Sequence, residues 1–108
     1  MKISCSTLFD RVRGYWPEQV DINLESREIM TNFYWQLDST IDHEKDHWLN
    51  IGCWAYHQAL DTYMREQRKA GRVSVKPSEV PMSLFNEQML FNLQEDSWEK
   101  ERALYIAE

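Results

Sequence analysis

Apolar residues recur at three- and four-residue spacing along most of the chain, which is the period of an amphipathic helix. Little of the sequence alternates with period two, and only three glycines and three prolines interrupt it. The pattern predicts an all-α fold, a compact bundle of four to five helices around one long central helix over about 41–70. We expect one helical domain over residues 1–108, since this length suits a single core.

The first predicted helix begins after Ser4 or Ser6, both of which are good N-caps, and it ends at Gly14. A second helix is predicted over about 24–37. Its apolar residues at helical spacing are Ile29, Met30, Phe33 and Leu37.

The long helix has the strongest local support. Acids (Asp42, Glu44) stand at its start and bases at its end, as the helix dipole prefers, and Gly71 is expected to stop it. Ser83 is predicted to cap a fourth helix, and residues 96–97 to start a fifth that continues through Ile106. Residues 73–76 are expected to pair as a strand only if a partner chain supplies the other edge.

The predicted core draws on every one of these helices. Its members are Leu8, Phe9, Ile29, Phe33, Trp48, Tyr56, Leu60, Phe85, Leu93 and Leu104.

The chain is acidic overall. Eighteen acids against twelve bases give a net charge of -6 and a pI near 5.0, which argues against a general polyanion binder. No apolar run has the length of a signal-peptide core or a membrane span, so we expect a cytoplasmic protein without membrane contact. Cys5 and Cys53 show no framework spacing and are predicted to be reduced thiols.

HEKDH, residues 43–47, has the His-Glu-x-x-His spacing of a helix-borne zinc site. On a helix His43 and His47 project from one side, so both can bind one zinc ion while Glu44 holds a water as general base. The motif resembles that of the zincin metalloproteases. This resemblance implies an alternative function, that of a minimal zinc-dependent hydrolase.

The residues around HEKDH depart from the zincin pattern. Lys45 and Asp46 are charged where that family has mostly uncharged positions, and Cys53 stands where the extended motif needs a third histidine. Formal candidates for a third ligand on a later helix are Glu87, Glu95 and Glu99. We therefore predict a charged helix start, with no bound metal, no cofactor and no catalytic set.

A second face of the long helix carries the candidate binding residues. With 100° per residue, the core face holds Ile41, Trp48, Gly52, Tyr56, Ala59, Leu60 and Tyr63. Nearly opposite lie His43, His47, Asn50, Trp54, His57 and Asp61. A tryptophan on a polar face favours cover by another helix or by a partner, so this stripe is the predicted partner-binding site.

The basic segment 65–76 offers a different surface. Arg65, Arg68, Lys69 and Arg72 either stabilise the end of the helix through its dipole or contact an acidic partner or nucleic-acid phosphate. The acids near 42–46 and 95–101 offer a further alternative, imitation of nucleic-acid phosphates. No aromatic residue is interleaved with the bases, so nucleic acid is the less favoured partner.

By elimination the sequence favours binding over catalysis. We expect a small acidic protein-interaction module that occupies and blocks a larger host protein or nucleic-acid machine. Such a chain resembles the small inhibitors and adaptors of bacteriophages and other mobile elements in its general character, and the resemblance rests on no motif. For a phage-encoded chain the compartment would be the host cytoplasm.

Overall fold

Residues 2–14, 22–24 and 47–107 are described by the structure, a computed structural model. Of these residues 71% are helical, so a mostly helical, compact fold is confirmed for this part of the chain. Its α-helices are α1 (Cys5–Arg13), α2 (His47–Lys69), α3 (Met82–Asn92) and α4 (Glu99–Leu104). Its strands are β1 (Ile3–Ser4), β2 (Ile22–Asn23), β3 (Ser74–Val75) and β4 (Tyr105–Ile106), with 3-10 turns at Pro77–Glu79 and Asp96–Trp98.

Helix α1 begins where the sequence predicts. Ser4 is extended at its N-cap, and its Oγ accepts a hydrogen bond of 3.3 Å from the Thr7 amide, which is otherwise an unpaired donor of the first turn. Gly14 is the C-cap. The buried face carries Leu8, Phe9 and Val12, as the helical spacing indicates.

Helix α2 ends in a Schellman motif at the predicted glycine. The Arg72 amide donates to the Gln67 carbonyl oxygen and the Gly71 amide to that of Arg68, each at 3.0 Å. Gly71 has a φ of 91°, a left-handed conformation that costs glycine little. The predicted start of this helix, at residues 41–46, lies outside the described residues.

Three aromatic rings from three helices meet at the centre of the core. Phe9 of α1 lies 5.9 Å from Tyr56 of α2 and 5.2 Å from Phe85 of α3, measured between ring centroids. Gly52 lets α1 approach α2 closely, because a Cβ atom there would lie 2.7 Å from Val12 Cγ2. Helix α2 thus packs against both α1 and α3.

Most of the predicted core residues that the structure describes are buried. These are Leu8, Phe9, Tyr56, Leu60, Phe85 and Leu93, while Trp48 and Leu104 are partly buried and Ile29 and Phe33 lie outside the described residues. The buried arc of α2 is wider than the predicted face. It also includes Leu49, Ile51, Cys53, Ala55 and Met64, whereas predicted Tyr63 is half-buried and Ile41 is outside the described range.

Two short pairings correct the strand prediction. Residues 73–76 were expected to need a second chain, but β3 pairs antiparallel with β2 of the same chain, with Ile22 opposite Val75. Strand β1 pairs parallel with β4, with Ile3 opposite Tyr105. Tyr105 and Ile106 are therefore a strand and not the end of a helix. Two-residue strands are too short to show a period in the sequence.

Three predicted element starts differ in detail from the structure. Helix α3 begins at Met82 with Pro81 as its N-cap, so the prediction of Ser83 as cap is wrong, and proline's restricted φ favours this entry. The predicted restart at 96–97 is a 3-10 turn that leads into α4. Leu24, the first residue of the predicted second helix, is a buried turn residue after β2, and 25–37 lie outside the described residues.

Among the described segments, no helix combines the length and the apolar character needed to cross a membrane.

Candidate functional site

The predicted binding stripe of α2 faces solvent over its described length. Trp54 is 45% exposed, and its neighbours on the stripe range from half-buried to exposed. We call these residues the α2 stripe: His47, Asn50, Trp54, His57 and Asp61. They lie at helical spacing opposite the buried arc, which is why none of them enters the core. The predicted sixth member, His43, lies outside the described residues.

Trp54 is held by a ring contact within the stripe. Its indole stacks on the His57 imidazole, one helical turn away, with 5.8 Å between the centroids and 29° between the ring planes. Residues three apart on a helix are surface neighbours, so the contact follows from the helix itself. The stack covers part of one face of the indole, and Trp54 remains 45% exposed.

A pocket of about 210 Å³ opens beside Trp54. Its walls come from α2, the end of α3 and the 3-10 turn before α4, and we call it the Trp pocket: Asn50, Ile51, Trp54, Asn92 and Trp98. The Asn92 side chain donates from Nδ2 to Gln58 Oε1 at 2.7 Å, which joins α3 to α2 at this edge. No pattern in the sequence places Asn92 or Trp98 beside Trp54, because only packing brings them together.

The described part of HEKDH contacts the last helix. His47 Nε2 lies 3.5 Å from Glu101 Oε1, and the His47 ring lies 5.7 Å from the ring of Trp48. Glu101 was not among the formal third-ligand candidates. No group of three or more potential metal ligands occurs within residues 2–14, 22–24 and 47–107. His43 and Glu44 are not among these residues.

Two of the four predicted basic contacts are engaged in ion pairs. Arg65 lies 3.1 Å from Asp61 one turn earlier. The guanidinium of Arg72 holds both carboxylate oxygens of Glu79, at 2.6 and 3.2 Å. Arg68 and Lys69 are exposed at the end of α2. The basic surface is therefore partly neutralised by the protein's own acids.

Glu79 organises the loop between α2 and α3. Besides Arg72, its Oε2 accepts 2.6 Å from the Lys76 amide and its Oε1 accepts 3.3 Å from the Tyr63 hydroxyl. The hydrogen bond from Arg72, with that from the Lys76 amide, lowers the pKa of the Glu79 carboxyl. These contacts are structural, and they shape the loop that follows β3.

Both cysteines are buried and neither forms a disulfide. Burial raises the pKa of the Cys5 thiol, against a hydrogen bond with Tyr105 that lowers it. A buried thiol with a raised pKa is a poor nucleophile. Both cysteines are members of the hydrophobic core.

No protein-family model, curated protein or solved structure matches this chain. A function for the chain is therefore inferred from its own surfaces, since fold class alone does not define one.

Proposed function

We propose that this chain is a small cytoplasmic protein-interaction module that binds a larger partner through the α2 stripe and the Trp pocket. The observation that carries the proposal is Trp54, an indole that is 45% exposed at the rim of a pocket that contains a second tryptophan. Tryptophan side chains at pockets dominate the binding energy of many protein interfaces.

Other exposed apolar residues support a binding surface here. Leu90 is 45% and Phe91 66% exposed on the last turn of α3, directly before Asn92 of the Trp pocket. Water contact with large apolar side chains is unfavourable, and such groups on a soluble domain often mark an interface. A partner that covers Trp54 and this end of α3 would remove them from water.

We further propose that the long helix is the centre of the helical bundle and displays the stripe on its outer side. The support is that α2 contacts both α1 and α3 while its stripe stays accessible. Within this proposal the chain acts as an inhibitor or adaptor that occupies a surface of a host protein or nucleic-acid machine, as small proteins of phages and mobile elements do. The small size and net charge of -6 support this class.

The test is capture of a partner by the tagged protein from a lysate of its native or host cell, followed by mass spectrometry at low and moderate salt. A matched pair of variants identifies the surface. Trp54→Ala removes the exposed indole, and Val73→Ala truncates a more exposed apolar residue, 73% accessible, beyond the other end of α2.

We expect near-equimolar recovery of one protein partner by the wild type and by Val73→Ala, and loss of that partner with Trp54→Ala. Equal recovery by both variants would refute the Trp54 surface. Recovery of nucleic acid alone, in amounts that fall steeply with salt, would point instead to the basic segment.

A zinc-dependent hydrolase is the second candidate, favoured by the contact between His47 and Glu101. Their 3.5 Å separation is close to the roughly 3.4 Å between two ligand atoms of a tetrahedral zinc ion. Titration calorimetry with zinc tests it. We expect His47→Ala and Glu101→Gln to weaken zinc binding and Glu66→Gln, an exposed carboxylate near the other end of α2, to leave it unchanged. Zinc-free protein with full partner binding would end this candidate.

A further inference from the structure

We propose that the Trp pocket receives an arginine side chain from a basic segment of the partner, with the guanidinium placed against the indoles of Trp54 and Trp98. This inference rests on the proposed function, and it names the chemistry that the binding surface recognises.

The two indoles supply the first part of this recognition. Trp54 and Trp98 line the same pocket from different elements, α2 and the 3-10 turn Asp96–Trp98. The face of an indole carries negative electrostatic potential, so a cation within about 6 Å of its centroid is attracted. The stack of His57 on Trp54 restrains one of the two rings before any ligand arrives.

Carboxylates around Trp98 supply the second part. Glu95, Asp96 and Glu99 lie within three residues of Trp98 in the sequence and are exposed. The bases of the same stretch are Lys100 and Arg102, and Arg102 directs Nη1 to the Leu93 carbonyl oxygen at 3.0 Å. Residues 95–102 hold four acids against two bases, in a chain with a net charge of -6. The net negative charge of this segment, which includes Trp98 of the pocket, favours the approach of a cation.

Polar atoms in the pocket favour arginine over lysine. The side-chain nitrogen of Asn92 donates a hydrogen bond to Gln58. The side-chain oxygen of Asn92, Oδ1, is a hydrogen-bond acceptor. Asn50 adds a second amide to the wall. A guanidinium has several N–H donors around a plane that stacks on aromatic faces, and it therefore uses both the amides and the indoles.

The size of the pocket is compatible with this occupant. Its volume of about 210 Å³ is many times the roughly 10–15 Å³ that one water requires by the same measure. A mainly apolar wall with a few amides also matches the apolar stem and polar head of arginine.

Titration calorimetry on the full chain tests the proposal with three peptides: alternating glycine and arginine, the same with lysine, and the same with citrulline, the uncharged analogue of arginine. We expect the arginine peptide to bind best and the citrulline peptide to bind about tenfold more weakly. Equal binding of the arginine and citrulline peptides, or no binding of the arginine peptide, would overturn the proposal.

Variants locate the binding at the pocket. Trp54→Leu and Trp98→Leu keep an apolar side chain and remove the indole. Each is expected to weaken binding of the arginine peptide about fivefold. Trp98 packs partly against the core, so circular dichroism first establishes that each variant is folded. If Trp98→Leu unfolds, the test rests on Trp54→Leu alone. A folded variant that binds the arginine peptide as tightly as the wild type would overturn the assignment of the peptide to the Trp pocket.

A charge pair completes the design. Asp96→Asn/Glu99→Gln removes two carboxylates beside Trp98, and Glu66→Gln/Glu87→Gln removes two exposed carboxylates from other parts of α2 and α3. Only the first double variant is expected to weaken binding. Equal effects of the two double variants would show that the net charge of the chain attracts the peptide and that the pocket does not.

The two proposals can fail separately. If capture of the partner depends on Trp54 but the arginine peptide does not bind, only the inference about arginine is overturned. If capture of the partner does not depend on Trp54, the proposed function is overturned.

Discussion

The Tyr56 hydroxyl donates a hydrogen bond of 2.6 Å to the carbonyl oxygen of Pro77, in the buried centre of the protein. The contact joins the middle of α2 to the 3-10 turn that precedes α3. The Tyr56 ring packs against Phe9 and Phe85, so one side chain links the aromatic core to the backbone of the loop.

Replacement of Tyr56 by Phe keeps the packing and removes this donor. Because the buried Pro77 carbonyl oxygen then keeps only the longer hydrogen bond of 3.3 Å from the Val80 amide, we expect a loss of about 0.5–1.5 kcal/mol in the free energy of unfolding. Urea denaturation measures it. Tyr63→Phe is the control, since its hydroxyl is only part-buried at 3.3 Å from Glu79 and should matter less. A smaller loss for Tyr56→Phe than for Tyr63→Phe would contradict the role given to the Pro77 contact.

Gly52→Ala tests the close approach of α1 and α2. The added Cβ atom would lie 2.7 Å from Val12 Cγ2, so side chains must shift, and we expect a cost of about 1–3 kcal/mol in the free energy of unfolding. Gly14→Ala is the matched control because the nearest atom there is at 3.5 Å.

Val12→Ala in the Gly52→Ala background should recover part of the lost stability. The double-mutant cycle would then show a coupling energy between the two sites. Additive effects would mean that the two helices already accommodate a methyl group at residue 52.

Acid should weaken the contribution of Glu79 to stability. Its folded pKa is lowered by Arg72, so its contribution is complete above the unfolded pKa and is lost as the pH falls through the folded value. The difference in unfolding free energy between wild type and Glu79→Gln is therefore expected to be largest near pH 7 and to shrink toward about pH 3.

Chemical denaturation at a series of pH values measures this difference. Glu87→Gln, which removes an exposed carboxylate of α3, serves as the control variant. A difference for Glu79→Gln that grows toward low pH would have the wrong sign for a carboxylate stabilised by Arg72.

Trp54→Ala should cost little stability. Trp54 is 45% exposed, and truncation of its side chain removes few core contacts, so we expect a loss below about 1 kcal/mol. Phe85→Ala, in the fully buried ring cluster, should cost about 3–5 kcal/mol. Similar losses for both would identify Trp54 as a core residue and leave its binding role without support.

The part of the candidate site that lies on a single helix was predictable from the sequence. The spacing of His47, Trp54 and His57 placed them on one face of the long helix, and the structure leaves that face accessible. The pocket beside it was not predictable, because Trp98 and Asn92 reach Trp54 only through the packing of α3 and the following turn against α2. Whether the stripe binds a partner stays a prediction.

The sequence by itself determined several local features: the start of α1 at one of two serines, Ser4 or Ser6, the end of α2 at Gly71, the apolar face of α1 and part of the apolar face of α2. Capping hydrogen bonds, a left-handed glycine and a 3.6-residue period depend on neighbours a few positions away, so the printed sequence contains them. Only the tertiary structure decided the contacts between distant residues, such as the pairing of β1 with β4 and the approach of Glu101 to His47. The free energy that stabilises these contacts comes from the packing of whole helices, and the periodicity of the sequence does not show which helix surfaces will meet.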